Sequence, residues 1–352
     1  GLSGAFWGRL SDRLGRRRVI MICLAGSSLS YGMLAFASAL WMIYAARGFA
    51  GLVAGNFGVA SAMVADITPP ERRASGMGLI GAAFGLGLVL GPLLGGLLSG
   101  DSGEFRLPCL LAGMMSLLAI VAAALFLPES LSPERMARNR RHQRDTRAES
   151  VYRMLHRTGN RLLATQYILH NSCVSAITYI TPLWVADLLG WGAREVGILF
   201  GVLGAVMVVL QGGAMGPLTR LLGEYRFLLI TNGALLAGLI VAVYASAAPA
   251  MVAAVYIALT GATLAMPLLN TLATHRTPYA DRGRMLGSAS AIASWGRVVG
   301  PLLAGVNLTV LGYSAAWLGC VALATLYLSW AVREYRLHGR SSTALEDFQH
   351  GH

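Results

Sequence analysis

Ten stretches of mostly apolar residues run through the chain, at roughly 19–40, 41–65, 74–99, 107–127, 162–186, 196–216, 227–247, 250–273, 285–307 and 313–332. Each has the ~20 residues that a helix needs to cross the hydrocarbon core of a bilayer. A backbone in lipid must satisfy its own hydrogen bonds, so such a chain is confined to helices or a closed barrel. The runs are continuous and do not alternate with period two, which selects helices. Only 12% of the residues are charged and the mean hydropathy is +0.60, against about 25% charged in an ordinary soluble domain. The expected class is an all-α membrane protein.

The charges fix an orientation. All 28 Lys-plus-Arg residues are arginine. Twenty-four of them fall in alternate loops and the tail: before the first full span (Arg9, Arg13, Arg16, Arg17, Arg18), after the second (Arg72, Arg73), from Arg135 to Arg161, at Arg220 and Arg226, at Arg276, Arg282 and Arg284, and at Arg333, Arg336 and Arg340. The opposite loops hold Arg106 and Arg194. The positive-inside rule places the Arg-rich side and the C-terminus in the cytoplasm of a multi-pass membrane protein. The net charge of +12 sits in short clusters between apolar runs, which argues against a nucleic-acid partner.

Several activities are excluded. Without Lys there is no P-loop ATPase, pyridoxal enzyme or retinal pump. The sequence holds neither HExxH nor GxSxG, so no hydrolase nucleophile or metal is in view. Cys23, Cys109, Cys173 and Cys320 are isolated within apolar runs and read as buried hydrophobes. The expectation is a protein that is not an enzyme and needs no cofactor and no metal.

The chain contains a repeat. Gly8–Arg18 aligns with Gly216–Arg226, 208 positions on; Thr68-Pro69 and Gly78 align with Thr277-Pro278 and Gly287, and Gly87–Gly96 with Gly296–Gly305, 209 positions on. Like-oriented repeats imply two helical bundles related by an axis along the membrane normal. Two spans precede the Gly216 motif but only residues 1–8 precede Gly8. The repeat thus leads to the expectation that one helix and most of a second are missing ahead of residue 1, that an intact protein has twelve, and that residues 1–352 do not transport alone. The expected organisation is a first bundle over 1–128, a cytoplasmic linker over 129–160, a second bundle over 161–333 and a tail over 334–352.

Three motifs in order carry a family resemblance. Gly8-Arg-Leu-Ser-Asp12-Arg13-Leu-Gly15-Arg16-Arg17, Arg47-Gly-Phe-Ala-Gly51 and Gly87-x-x-x-Gly91-Pro92-x-x-Gly95-Gly96 resemble signatures of the major facilitator superfamily, on its drug:proton antiporter branch. Segments such as Ser28-Leu-Ser-Tyr31, Ala65-Asp-Ile-Thr68 and Leu189-Gly-Trp191 are similar to the tetracycline efflux proteins. The resemblance implies a fold of two pseudo-symmetric six-helix bundles. It implies a secondary transporter exporting hydrophobic or amphipathic compounds in exchange for protons, as a monomer in the bilayer. The alternatives are a transporter of small polar metabolites in the same fold, or a truncated remnant that does not transport. One position departs from the look-alikes, which carry Asp where this chain has Ser30. A hydroxyl cannot balance a chelated divalent cation, so a metal–tetracycline chelate is not the expected substrate.

The resemblance also assigns residues. Asp12 is expected against the start of the eleventh helix near 283–285, and Arg16 against Asp66, together forming a latch. Gly8, Arg13 and Gly15 complete that motif, and Gly87, Gly91, Pro92, Gly95 and Gly96 form the gating stripe. Gly51, Gly55 and Gly58 continue the Arg47 face, so Arg47 is expected to point into protein, where it serves proton coupling. No Asp or Glu lies deep in a span, which leaves His170, or a residue outside this chain, as the proton carrier. Polar side chains recurring at helical spacing mark a cavity: Gln166, Asn171 and Thr178 with His170; Tyr256, Thr260, Thr263 and Asn270; Ser294 with Arg297.

Overall fold

The computed structural model describes residues 2–69, 73–100, 103–131, 134, 161–277 and 282–339. The linker from 135 to 160 and the tail from 340 to 352 lie outside them. Among the described residues every regular element is helical. Seven helices are long and apolar enough to cross a membrane, counting Ala193–Tyr244 as one run, and a shorter apolar helix covers Gly85–Ser99. The described residues fall into two compact units, one within 1–148 and 192–201, the other within 149–191 and 202–352.

The first unit opens with α1 (Leu2–Leu14), α2 (Arg16–Ala35), α3 (Leu40–Val53) and α4 (Asn56–Ile67), followed by α5 (Arg73–Ser99) and α6 (Arg106–Phe126). Gly15 joins α1 to α2 at φ 98°, a conformation that costs a side-chain-bearing residue heavily. The unit's core is Val19, Ile20, Cys23, Val59 and Met63, with Trp7, Leu10 and Leu127 against it. The sequence predicts one span over 41–65, but the structure breaks it at Ala54–Gly55. The cause is Trp7. Its indole N–H donates to the Leu52 carbonyl at 2.6 Å, and a Cβ on Gly55 would lie 2.3 Å from the Trp7 Cβ. The indole takes the carbonyl that the interrupted helix leaves unpaired.

The second unit holds α7 (Arg161–Leu189), α9 (Met215–Tyr244), α10 (Ala248–His275), α11 (Arg282–Leu311) and α12 (Tyr313–Glu334). Helix α8 (Ala193–Val209) gives its first turns to the first unit and the rest to the second. A π-helical turn at Leu210–Ala214 carries α8 directly into α9. The loop expected between these spans is therefore helical up to Gly223, where φ 71° and ψ 158° interrupt α9. Gly223 stands 208 positions after Gly15, so the repeat returns in the backbone as the same glycine-only joint.

Small residues set the packing, as they do where lipid removes the hydrophobic drive between helices. A Cβ on Gly238 would lie 2.5 Å from the Ala258 nitrogen, and one on Gly261 2.3 Å from the Thr231 carbonyl, so α9 and α10 touch backbone to backbone. Gly296 and Gly300 hold α11 equally close to the Ile168 and Ser172 carbonyls of α7. Pro92, Pro182, Pro267 and Pro301 lie within α5, α7, α10 and α11, where each removes one ladder hydrogen bond.

Candidate functional site

At the Arg-rich end of the first unit, one turn separates Asp12 from Arg16, and the chain reversal at Gly15 brings Asp66 of α4 alongside. Arg16 lies 2.8 Å from Asp12 and 3.1 Å from Asp66, and it donates to the Ser11 hydroxyl at 2.6 Å. The guanidinium is thus shared by two carboxylates on two helices, and it ties α1, α2 and α4 together within this unit. Burial pushes the Asp12 carboxyl above its ordinary 3.8; Arg16 pulls it back, and Asp66 pushes it further up. Of the residues 283–285 expected near Asp12, those at 283 and 284 have side chains outside the described residues, and Met285 is buried. Gly8 is half-buried and Arg13 exposed.

A residue that sequence reasoning did not single out completes this end. Glu129, just beyond α6, accepts from the backbone N–H of Arg16 at 2.8 Å and of Arg17 at 3.2 Å. It places a carboxylate on the free amides and positive dipole end of α2. A Cβ on Gly15 would lie 2.3 Å from a Glu129 oxygen, so the glycine also makes room for the cap. The available signal was an acid set directly after a span, in Leu-Pro-Glu129-Ser.

The second unit repeats the arrangement with other groups. Glu334, at the end of α12, is buried and pairs with Arg276 beyond α10. Burial works against the Arg276 guanidinium, but bonds from Glu334 and Tyr225 outweigh it and raise its pKa. Arg226 donates to the Tyr335 hydroxyl at 3.4 Å, and His275 lies 3.4 Å from Glu224.

The residues of the expected gating stripe differ in what they meet. Among the described residues no heavy atom comes within 4 Å of a Cβ position at Gly87, Gly91 or Gly95. The close approach lies on the neighbouring face. A Cβ on Gly96 would stand 2.6 Å from the Gly197 Cα of α8, one on Gly197 2.6 Å from the Pro92 carbonyl, and one on Gly201 3.0 Å from the Leu93 Cβ. Pro92 and Gly96 stand one turn apart, as do Leu93 and Gly96 at a spacing of three, so Gly96 sits between the two other contact points.

Arg47 lies on α3. Its side chain is exposed, and its neighbours on the expected face, Gly51 and Gly58, meet open space; only Gly55 is packed, by Trp7. The buried neighbour is Ala46, whose carbonyl accepts from the Ser30 hydroxyl at 2.8 Å. Ser30 is therefore spent on the α2–α3 contact.

The polar stripe of α7 splits in two. Gln166 and His170 turn into the packed interior, each 4% exposed. The His170 ring meets Tyr327 of α12 edge-on at 5.7 Å, and its Nδ1, like the Gln166 Oε1, finds no hydrogen-bond partner among the described residues. Tyr167 instead reaches α10, donating to Asn270 at 2.8 Å, and Asn171 reaches α11. Arg297 donates to the Asn171 Oδ1 at 3.2 Å and to the Ser294 hydroxyl at 2.9 Å. Asn171 is itself oriented, donating its amide N–H to the Tyr167 carbonyl at 2.9 Å. An arginine this deep in a span costs about 2.5–3.5 kcal/mol on insertion scales. Two neutral acceptors offset part of that cost. Thr178 and Thr263 return their hydroxyls to their own helices; Tyr256 and Thr260 are half-buried on α10. The structure thus brings Asn171, Ser294 and Arg297 together, joins Asn270 to Tyr167, and keeps His170 and Gln166 apart from them.

A family model described as Major Facilitator Superfamily matches residues 1–280 and 214–347. The tetracycline resistance protein of class H from Pasteurella multocida is 27% identical, with 96% of this chain and 83% of that protein covered. The class B protein from Escherichia coli is 30% identical, with 84% and 73% covered. The structure of the human organic anion transporter MFSD10 (TETRAN) superposes with a TM-score of 0.68 at 25% identity, covering 94% of this chain and 80% of that one. With its apolar helices, repeated joints and matched family model, the chain is a multi-pass membrane transporter that belongs to the Major Facilitator Superfamily.

Proposed function

We propose that the protein is a secondary active exporter that moves hydrophobic or amphipathic compounds out of a bacterial cell in exchange for protons, by alternating access. The observation that carries this reading is the backbone contact of Pro92 and Gly96 with Gly197. It lies in the motif whose pattern resembles the drug:proton antiporters, and a contact without side chains can close tightly and part cleanly. The likeness to tetracycline resistance proteins supports efflux. In this reading the protein is a monomer in the inner membrane, the Arg-rich loops and C-terminus are cytoplasmic, and nucleic acid is no partner. Asp12, Arg13 and Arg16 with Asp66 form a cytoplasmic latch, with Gly8 and Gly15 giving it room. His170 takes up the coupling proton at its unpartnered Nδ1, and Arg47 serves proton coupling within its own unit. Gln166, Asn171, Thr178, Tyr256, Thr260, Thr263, Asn270, Ser294 and Arg297 serve the substrate path.

The test is accumulation of a panel of labelled amphiphiles in susceptible bacteria expressing the gene. Expression should lower the steady-state level of at least one compound, and an uncoupler should restore it. Levels unchanged across the panel, or a reduction that survives the uncoupler, would overturn the reading.

A further inference from the structure

We infer that Arg297 is a docking point for the acidic head group of the transported compound, so that the substrates are amphiphiles carrying a carboxylate, sulfonate or phosphonate, and lipophilic cations are rejected. The inference rests on the exporter reading only for the direction of movement; the binding chemistry stands apart from it.

The first observation is a charge imbalance. Of the chain's 16 Asp and Glu residues, none lies within the spans 162–186, 196–216, 227–247, 250–273, 285–307 or 313–332, whereas Arg297 lies well inside one. The guanidinium cannot lose its proton. Its partners, Asn171 and Ser294, are neutral. A membrane protein that holds an unbalanced cation inside a span faces it to the bundle interior or to a water-filled path, and the Arg297 side chain is exposed.

The second observation is that the group is held in place. Gly296 and Gly300 lock this stretch of α11 against the α7 backbone, and the Ser175 hydroxyl, bonded to the Asn171 carbonyl at 2.6 Å, lies 3.3 Å from the Gly296 carbonyl. Asn171 is oriented by its own bond to Tyr167, so its oxygen meets one Arg297 N–H. Ser294 takes another. A guanidinium has five N–H donors in a fixed fork, and the remaining ones stay available for the paired oxygens of an oxyanion. That planar, two-bond match is what Arg offers and Lys does not. A cation placed here would meet like charge with no carboxylate to offset it. This sets the site apart from one that takes a positively charged chelate.

The test compares two permanently charged probes of matched apolar body, radiolabelled naphthalenesulfonate and naphthyltrimethylammonium. Binding is measured on purified protein in nanodiscs, and movement separately in everted vesicles. The sulfonate should bind, with the ammonium weaker by about tenfold or more, the factor that 1.4 kcal/mol gives. Arg297→Gln should remove most sulfonate binding, and Arg297→Lys should restore part of it by returning charge without the fork. Asn171→Ala, which loosens the orientation but keeps the charge, should weaken it by a smaller factor. Circular dichroism and gel filtration check that each variant is folded. Equal binding of the two probes, no sulfonate binding at all, or full sulfonate affinity in folded Arg297→Gln would overturn the inference. Sulfonate binding without gradient-driven movement would instead sink the exporter reading and leave the anion site standing.

Discussion

The proposed latch asks Asp12 to matter more for switching than for stability. Its pKa is raised above 3.8 chiefly by burial, so ionised Asp12 is less favourable in the folded protein than in the unfolded chain. The stability this group contributes is present below its unfolded pKa and is lost as pH rises through the folded one. Near neutral pH, Asp12→Asn should therefore leave thermal stability unchanged or slightly higher, within about 1 kcal/mol for such a part-exposed pair, because Asp66 still holds Arg16. Transport should fall by about tenfold or more, since 1.4 kcal/mol of lost latch energy suffices. Thermal unfolding alongside vesicle uptake separates the two effects; normal uptake would remove Asp12 from the switch. Glu334 predicts the opposite balance. Glu334→Ala strands Arg276 half-buried without its carboxylate, and denaturation should show a loss of about 3 kcal/mol, typical of breaking a buried pair from one side. Ser30 makes a third case. It is 5% exposed and bonded to Ala46, so it presents no ligand to a metal. Tetracycline uptake by everted vesicles should be the same with and without magnesium, and strong magnesium dependence would contradict this reading.

At the scale of the element, the spans were legible because length and apolarity are properties of sequence alone. What was not legible is which face of a helix meets what. Gly87, Gly91 and Gly95 form as regular a stripe as Gly96 and Pro92 do with their neighbours, and only the position of Gly197 selects one of them. The same holds for α7, whose His170 and Asn171 are adjacent in sequence but separated by about 100° around the helix. The break at Ala54–Gly55 was hidden because its cause, Trp7, lies 45 residues from the carbonyl it takes. The contact face yields a direct comparison. Gly96→Val forces a branched side chain into the α8 backbone and should destabilise the first unit by about 1–3 kcal/mol, as overpacking does. Gly91→Val points into open space and should cost less, about the size of an ordinary surface change of 0.5 kcal/mol. Equal losses in thermal unfolding would show that the stripe, not the Pro92–Gly96 face, makes the contact.

The whole molecule is organised by duplication, and duplication is what the sequence discloses best. The offset of 208 residues between the Gly8 and Gly216 motifs reappears as Gly15 and Gly223, both at positive φ. Each half also places an acid at its Arg-rich end: Glu129 after α6, Glu334 at the end of α12. Those acids escaped notice because a lone Glu beside a loop has no periodic pattern to reveal it, and its partners, the amides of Arg16 and Arg17, leave no mark in sequence. The two halves differ where chemistry is needed: the first offers Asp12, Arg16 and Asp66, the second Arg297, Asn171 and His170. The measurement that tests proton-coupled exchange most directly uses proteoliposomes carrying the purified protein, loaded with an internal acid buffer and a pH-sensitive dye. Adding an acidic amphiphile outside should raise the internal pH as protons leave in exchange, and His170→Ala should abolish that change in folded protein. Amphiphile uptake with no movement of protons, or proton release that survives the loss of His170, would contradict the proposed coupling.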